Sequence, residues 1–445
     1  MEVLVKIGQF LLSLSILVIL HELGHFAFAK LFKTRVEKFY LFFDPWFSIF
    51  KFKRGYTQYG MGWLPLGGYV KISGMIDESL DKEQLKKPPQ PYEFRSKKAY
   101  QRLLIMLGGV SVNFITALII YALVLYTWGD EYLPTENVKY GIYADSLALN
   151  VGFQHGDKII SVDNKKIESF YKIVPEIIFS SAKTVQVKRN SSIINIEMPD
   201  TLISKLIDSR NKSFFITPRI PFSPFVIKKA EKNTPAHEIG LQKGDELVKL
   251  NGNTFDYYDE FRDSLAKLKG EDISITIKRD TALLSYNITL DNEDGLIGVV
   301  RDVTAIFEFE TVYYGFWEAI PAGINKGFNK MVEYIRSLKL LFKPETKAYK
   351  SLGGFITIGS IFPGVWDWEA FWNLTAFLSI ILAIMNVLPI PALDGGHVLF
   401  LLFEIVTGRK PSDKFLEYAQ ITGMAILIAL LLYANGNDIL RQFNK

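Results

Sequence analysis

The chain opens with an apolar run over residues 3–32 and carries three more long ones at 103–127, 371–390 and 416–434. A helix of about 20 apolar residues spans a hydrocarbon core roughly 30 Å thick, so each run predicts a transmembrane helix. The apolar stretch at 398–406 is about half that length and holds Glu404, which reads as a packed connector. Between the second and third runs the pattern changes to short alternating segments bounded by Gly, Asn and Asp, the mark of strands and turns in water. Beyond them, apolar residues from 316 to 342 interleave with Lys326, Lys330, Arg336 and Lys339 at loosely helical spacing, broken by Pro321. That predicts either a pair of amphipathic interfacial helices or a helix packed on the core of the polar middle block.

The polar middle contains a duplication. Gly152-Phe153-Gln154-His155-Gly156-Asp157 recurs as Gly240-Leu241-Gln242-Lys243-Gly244-Asp245, at a constant offset of 88 residues. A period this long is a repeated domain rather than a solenoid unit. In each copy a short helical segment leads into the Gly-Asp turn, and an alternating strand follows to a second turn at Asp163-Asn164 or Asn251-Gly252. His155 and His237 fall at unrelated positions of the two copies and read as surface residues.

Charge orients the spans. Lys6 alone precedes the first run, whereas Lys30, Lys33, Arg35 and Lys38 follow it; Arg95, Lys97, Lys98 and Arg102 precede the second, and Arg409, Lys410 and Lys414 separate the last two. Positive clusters stay on the cytoplasmic side, so four spans with both termini and the duplicated block outside satisfy every cluster. Ala27-Phe28-Ala29 looks like a signal-peptide cleavage site, but the start lacks the usual positive charge, and the segment reads as a retained anchor. An apolar share of 49% over 445 residues suits a membrane core with water-exposed modules. A net charge of +4 without a basic stripe argues against nucleic acid, and the absence of cysteine excludes disulfides, thiolate ligands and cysteine nucleophiles.

His21-Glu22-Leu23-Gly24-His25 lies inside the first apolar run. On a helix, His21 and His25 share one face and can grip one zinc ion, with Glu22 close enough to deprotonate an activated water. Each ionisable side chain near a span's centre costs about 2.5 kcal/mol or more, which a bound cation would offset. A hydrolytic zinc site needs a third protein ligand and an open position. The best source is the stretch from Asn386 to His397, where Pro389 and Pro391 should unwind the third span near its cytoplasmic end. The charge order brings the first span's histidines to the same depth. By chemistry alone Asp394, His397 and Glu404 all remain eligible as the ligand.

The membrane-embedded His-Glu-x-x-His, the Asn386-x-x-Pro389-x-Pro391-x-Leu393-Asp394-Gly395 motif and the duplicated block together resemble the site-2 protease family. The match covers essentially the whole chain, and the tandem resembles the family's bacterial regulator-of-sigma-E branch. The resemblance implies a multi-span α-helical membrane protein with four transmembrane helices, a membrane-associated β-hairpin and two inserted α+β PDZ domains. It divides the chain into 1–130 (spans one and two, hairpin about 56–75), 131–220 and 221–310 (PDZ domains), 311–350 (interfacial helices) and 351–445 (spans three and four).

In that family the histidines and the Leu-Asp-Gly aspartate hold Zn2+, which implies His21, His25 and Asp394 as ligands, Glu22 as general base and Asn386 as a holder of substrate backbone. His397 is then a hydrogen-bonding neighbour. The segment Gly60 to Lys71 resembles the family's β-hairpin loop and offers Gly67, Gly68 and Tyr69 as substrate contacts. The second copy carries the PDZ features most fully, whereas the first departs at Phe153 and Asn164.

The implied enzyme is an intramembrane zinc endopeptidase of the bacterial inner membrane, cutting single-span proteins such as pre-trimmed anti-sigma factors and remnant signal peptides. Its active site would lie near the cytoplasmic side, with the PDZ pair filtering substrates by size or binding peptide termini. The competing expectation is a membrane scaffold that binds peptide ends through its PDZ pair and keeps only a structural or vestigial metal site.

Overall fold

The computed structural model describes residues 1–65, 67–75, 88–207, 214–290, 295–302 and 306–443. Leu66 of the expected hairpin, and residues 208–213, 291–294 and 303–305 of the expected PDZ domains, lie outside the described residues. The chain forms two units: one comprises 1–130, 313–342 and 349–445, the other 131–312 and 343–348.

The first unit is mainly helical. Its helices are α1 (Glu2–Leu31), α2 (Ala99–Trp128), α3 (Phe316–Leu341), α4 (Phe355–Ser360), α5 (Trp368–Val387), α6 (Asp394–Thr407) and α7 (Asp413–Phe443). Among the described residues, four helices are long and apolar enough to cross a membrane: α1, α2, α5 and the 414–443 stretch of α7. Helix α2 is the hub, packing against α1, α3, α5 and α6. Glycine sets its closest approach: a Cβ on Gly24 of α1 would run into the Gly108 carbonyl, and one on Gly108 would lie 2.7 Å from the Gly24 oxygen. Small residues of this kind let two apolar helices bring their backbones together without a hydrophobic driving force.

Helix α3 is one continuous helix rather than the interfacial pair. Pro321 sits in its second turn and forfeits a single backbone bond, while Glu318 accepts from the Gly315 N–H at 2.9 Å to cap the start. The helix buries Ala319, Gly323 and Gly327, with Gly323 against the Ala122 backbone, and leaves Trp317, Ile324 and Phe328 exposed along the opposite side.

Four strands follow α1: β1 (Val36–Leu41), β2 (Phe43–Arg54), β3 (Thr57–Leu64) and β4 (Tyr69–Ile72), in the order β2-β3-β1-β4. The region 56–75 therefore does not fold back on itself as a hairpin. Strand β3 runs parallel to β1, and β4 pairs antiparallel along the other edge of β1. Pro65 and Gly67, the latter at φ +150°, carry the chain past the end of β1 instead of back along β3. The hairpin in this sheet is β2–β3, turning at Gly55. Strand β2 leaves Trp46, Phe47, Ile49, Phe50 and Phe52 exposed, with Trp46 and Phe47 stacked on Trp63.

The second unit holds two blocks. In the first, strands Lys158–Val162, Thr184–Arg189 and Ser192–Glu197 form a sheet, beside a two-stranded pair of Ile142–Ala144 and Ile216–Pro218. Their shared core includes Phe153, Ile173, Val185, Val187 and Phe215. In the second block five strands form one sheet, with helix Tyr258–Lys267 contributing Phe261 and Leu265 to the core.

The duplication extends to the bonding. Asp157 accepts from the Gln154 N–H at 2.8 Å and pairs with Arg189 Nε at 2.8 Å; Asp245 accepts from the Gln242 N–H at 2.8 Å and pairs with Arg279 Nε at 2.7 Å. Both arginines also donate to the glycine carbonyl before the turn, Gly152 at 2.8 Å and Gly240 at 3.0 Å. Each Gly-Asp turn is thus pinned to its sheet by a buried aspartate. In the second block, the Arg279 hydrogen bond is the largest of the influences that hold the Asp245 carboxyl below the usual aspartate range.

Candidate metal centre

The helical periodicity of α1 sets His21 and His25 one turn apart on the side facing α2, where both are buried. On the far side of the site, α5 ends at Val387 and α6 begins at Asp394, with the Pro389 and Pro391 loop between them. Two glycines let that loop fold tightly enough to aim Asp394 inward. A Cβ on Gly396 would lie 2.6 Å from the Ile390 oxygen, and one on Gly395 would overlap the Val387 and Leu388 carbonyls.

Three donor atoms meet. His21 Nε2 lies 3.2 Å from His25 Nε2, and Asp394 Oδ2 lies 3.2 Å from the first and 3.3 Å from the second. A tetrahedral zinc with bonds of about 2.0–2.1 Å separates adjacent ligands by roughly 3.3–3.4 Å, so this triangle matches three corners of such a site.

The other ring nitrogens agree. His25 Nδ1 is 2.9 Å from the Ile105 carbonyl oxygen, which requires Nδ1 to carry a proton, so that in the neutral ring Nε2 is the lone pair. His21 Nδ1 is 3.1 Å from the Asn113 amide, whose oxygen has no other hydrogen-bond partner; turning that amide over makes the oxygen the acceptor and gives His21 the same tautomer. Two imidazole lone pairs and a carboxylate oxygen converging in a buried place repel one another unless a cation lies among them. The donor set fits zinc.

A family model described as Peptidase family M50 matches residues 9–430. The chain belongs to peptidase family M50. It is 29% identical to the regulator of sigma E protease of Haemophilus influenzae over 99% of this chain and 100% of that one. It is 27% identical to protease RseP of Yersinia pestis, again over 99% and 100%. Of solved structures, the PDZ domain of an SdrC-like protein from Listeria monocytogenes aligns with 17% of this chain and 85% of its own at 23% identity; the TM-score of 0.16 is too low to define the fold of either block. This M50 member is a zinc metalloprotease of the site-2 type, set in a multi-pass membrane protein.

The M50 centre opens into a cavity of about 710 Å³. Glu22 and Val70 of β4 both line it. Gly67, Gly68 and Tyr69 line the same cavity. A Cβ on Gly68 would sit 2.7 Å from Val18 and 3.4 Å from Glu22, so only glycine lets the β4 segment close over Glu22. Tyr69 stacks on Phe43 and Tyr40 and donates to Asp44 at 2.9 Å. The Asn386 amide nitrogen is 3.4 Å from His21 Nε2.

Of the three ligand candidates that chemistry left open, Asp394 meets the histidines. His397 lines the cavity, and Glu404 is turned away to Arg102 at 2.5 Å. The sequence reading missed Asn113 and Gly109. A Cβ on Gly109 would lie 2.5 Å from His25 Nε2, so α2 shapes the site without offering a ligand.

Proposed function

We propose that this protein cuts membrane-protein substrates within or beside a transmembrane helix, with His21, His25 and Asp394 holding the zinc and Glu22 as general base. The observation carrying the reading is the triangle of donor atoms at 3.2, 3.2 and 3.3 Å, with Glu22 on the same helix and in the same cavity. Bound zinc supplies Lewis acidity, which makes water a nucleophile near neutral pH and polarises the scissile carbonyl. Glu22, in the same cavity, takes a proton from the attacking water and hands it to the leaving amide nitrogen. Asn386 is positioned to donate to the substrate's backbone or to the developing oxyanion.

A helical substrate hides its peptide bonds in its own hydrogen bonds, and freeing them in lipid is costly unless new partners replace the old. Strand β4 is the sheet's edge and lines the cavity, so a substrate drawn out as a strand would pair with it beside Gly67, Gly68 and Tyr69. The exposed aromatic face of β2 suits a sheet that dips into the membrane.

The charge order favours four spans of the inner membrane with both termini and the soluble unit outside and the zinc near the cytoplasmic side. We read the soluble blocks as PDZ domains that admit trimmed substrates. The relatives named as sigma-E regulators make single-span anti-sigma factors, already shortened by another protease, the first substrates to try, followed by remnant signal peptides.

The test is co-expression of a tagged single-span substrate with wild type and with Glu22→Gln. A shortened fragment with wild type alone supports proteolysis and the base assignment; the same fragment with Glu22→Gln removes Glu22 from that role.

A further inference from the structure

Ala392 lies two residues before Asp394 and holds φ +84°, in the left-handed region where a Cβ is strained. Such a conformation persists only when its surroundings enforce it. Two residues of α7 do so. The Ala392 N–H donates to Gln420 Oε1 at 3.2 Å, and Gln420, itself buried, also lines the zinc cavity. One turn further along the same face, a Cβ on Gly423 would overlap the Pro391 carbonyl, so the loop rests directly on the helix at a point where no side chain intervenes.

We propose that Gln420 is a positioning residue for the zinc ligand Asp394: it holds the strained Pro391-Ala392-Leu393 turn in the conformation that aims the carboxylate at His21 and His25. The proposal rests on reading Asp394 as a ligand. Among the described residues, the Asp394 carboxylate oxygen that meets the histidines has no hydrogen-bond partner besides them, so its direction is set by its backbone. The turn before it is that backbone, and among the described residues the Gln420 amide is the side chain that hydrogen-bonds it. The amide orientation is unambiguous here, because a backbone N–H requires an oxygen opposite it.

The experiment is zinc affinity of the purified full-length protein by chelator competition, for wild type, Gln420→Met, Gln420→Glu and Ala392→Gly/Gln420→Met. Removing an outer partner of a metal site typically lowers affinity on the order of 10- to 100-fold, so Gln420→Met should lose zinc by at least about tenfold. Gln420→Glu keeps an oxygen for the Ala392 N–H and should stay near wild type. Glycine adopts φ +84° without strain, so adding Ala392→Gly to Gln420→Met should restore part of the loss. Wild-type affinity in Gln420→Met, or an equal loss in Gln420→Glu, overturns the proposal. Asp394→Asn is measured beside them: if it keeps wild-type affinity, the ligand reading itself fails, whatever Gln420 does.

Discussion

The Asn113 amide stands 3.1 Å from His21 Nδ1, and both residues are buried between α1 and α2. A histidine that binds a metal through one nitrogen is oriented by what its other nitrogen meets. Asn113→Leu should therefore weaken zinc binding on the order of 10- to 100-fold while leaving the three donors unchanged, and Asn113→Asp, which keeps an acceptor, should lose less. Chelator competition measures both; equal affinity in Asn113→Leu would remove Asn113 from the site's support.

Gly109 offers a second, steric test. A methyl group there would press on two rings at once, 2.5 Å from His25 Nε2 and 2.6 Å from His21 Cε1. Overpacking of this kind costs about 1–3 kcal/mol. Gly109→Ala should bind zinc poorly and melt lower in detergent, although it alters no polar atom; a variant with wild-type melting and metal content would contradict the geometry.

Arg102 and Glu404 form a pair whose side chains are 8% and 17% exposed, joining α2 to the helix that begins at Asp394. Removing one member of a buried pair strands the other charge and typically costs about 3–5 kcal/mol, whereas replacing both by apolar groups is often near neutral. Glu404→Leu should accordingly unfold at lower temperature than Arg102→Met/Glu404→Leu. The reverse order in a thermal melt would mean that the pair is solvated.

Acid should loosen the second soluble block. Asp245 has its folded pKa lowered, chiefly by its hydrogen bond to Arg279. The stabilisation is full above the unfolded aspartate value of about 3.9 and fades as pH falls through the lower folded value. Denaturant unfolding of the soluble unit between pH 6 and 2 should show stability dropping at the acid end, and Asp245→Asn should flatten that drop. An unchanged slope in the variant would assign the acid sensitivity elsewhere.

Much of this architecture was legible in the chain because its signals are local. The four apolar runs match four long helices, and the break between α5 and α6 falls at the prolines that cannot continue a helix. That His21 and His25 share one helix face was readable from spacing alone; that Asp394 is the residue beside them needed the family pattern, since His397 and Glu404 offered equally good ligand chemistry. What stayed hidden depends on partners distant in sequence. Arg189 and Arg279 each end an apolar-Lys-Arg segment before Asn190 or Asp280, but nothing in that segment tells that they pin the two repeated turns. Asn113 sits in an apolar span like any tolerated polar residue until α1 is laid beside it, and the insertion of β1 between β3 and β4 follows from pairing that no single strand encodes.

The donors also arrive at different times. His21 and His25 are translated near the start and Asp394 several hundred residues later, with the whole soluble unit between them. At about 5–20 residues per second, tens of seconds separate the two halves. On the ligand reading proposed above, a nascent chain therefore carries two of its three zinc donors through most of its synthesis, and the enzyme comes into being inert, restrained by the order of its own translation until the turn after the third span is made.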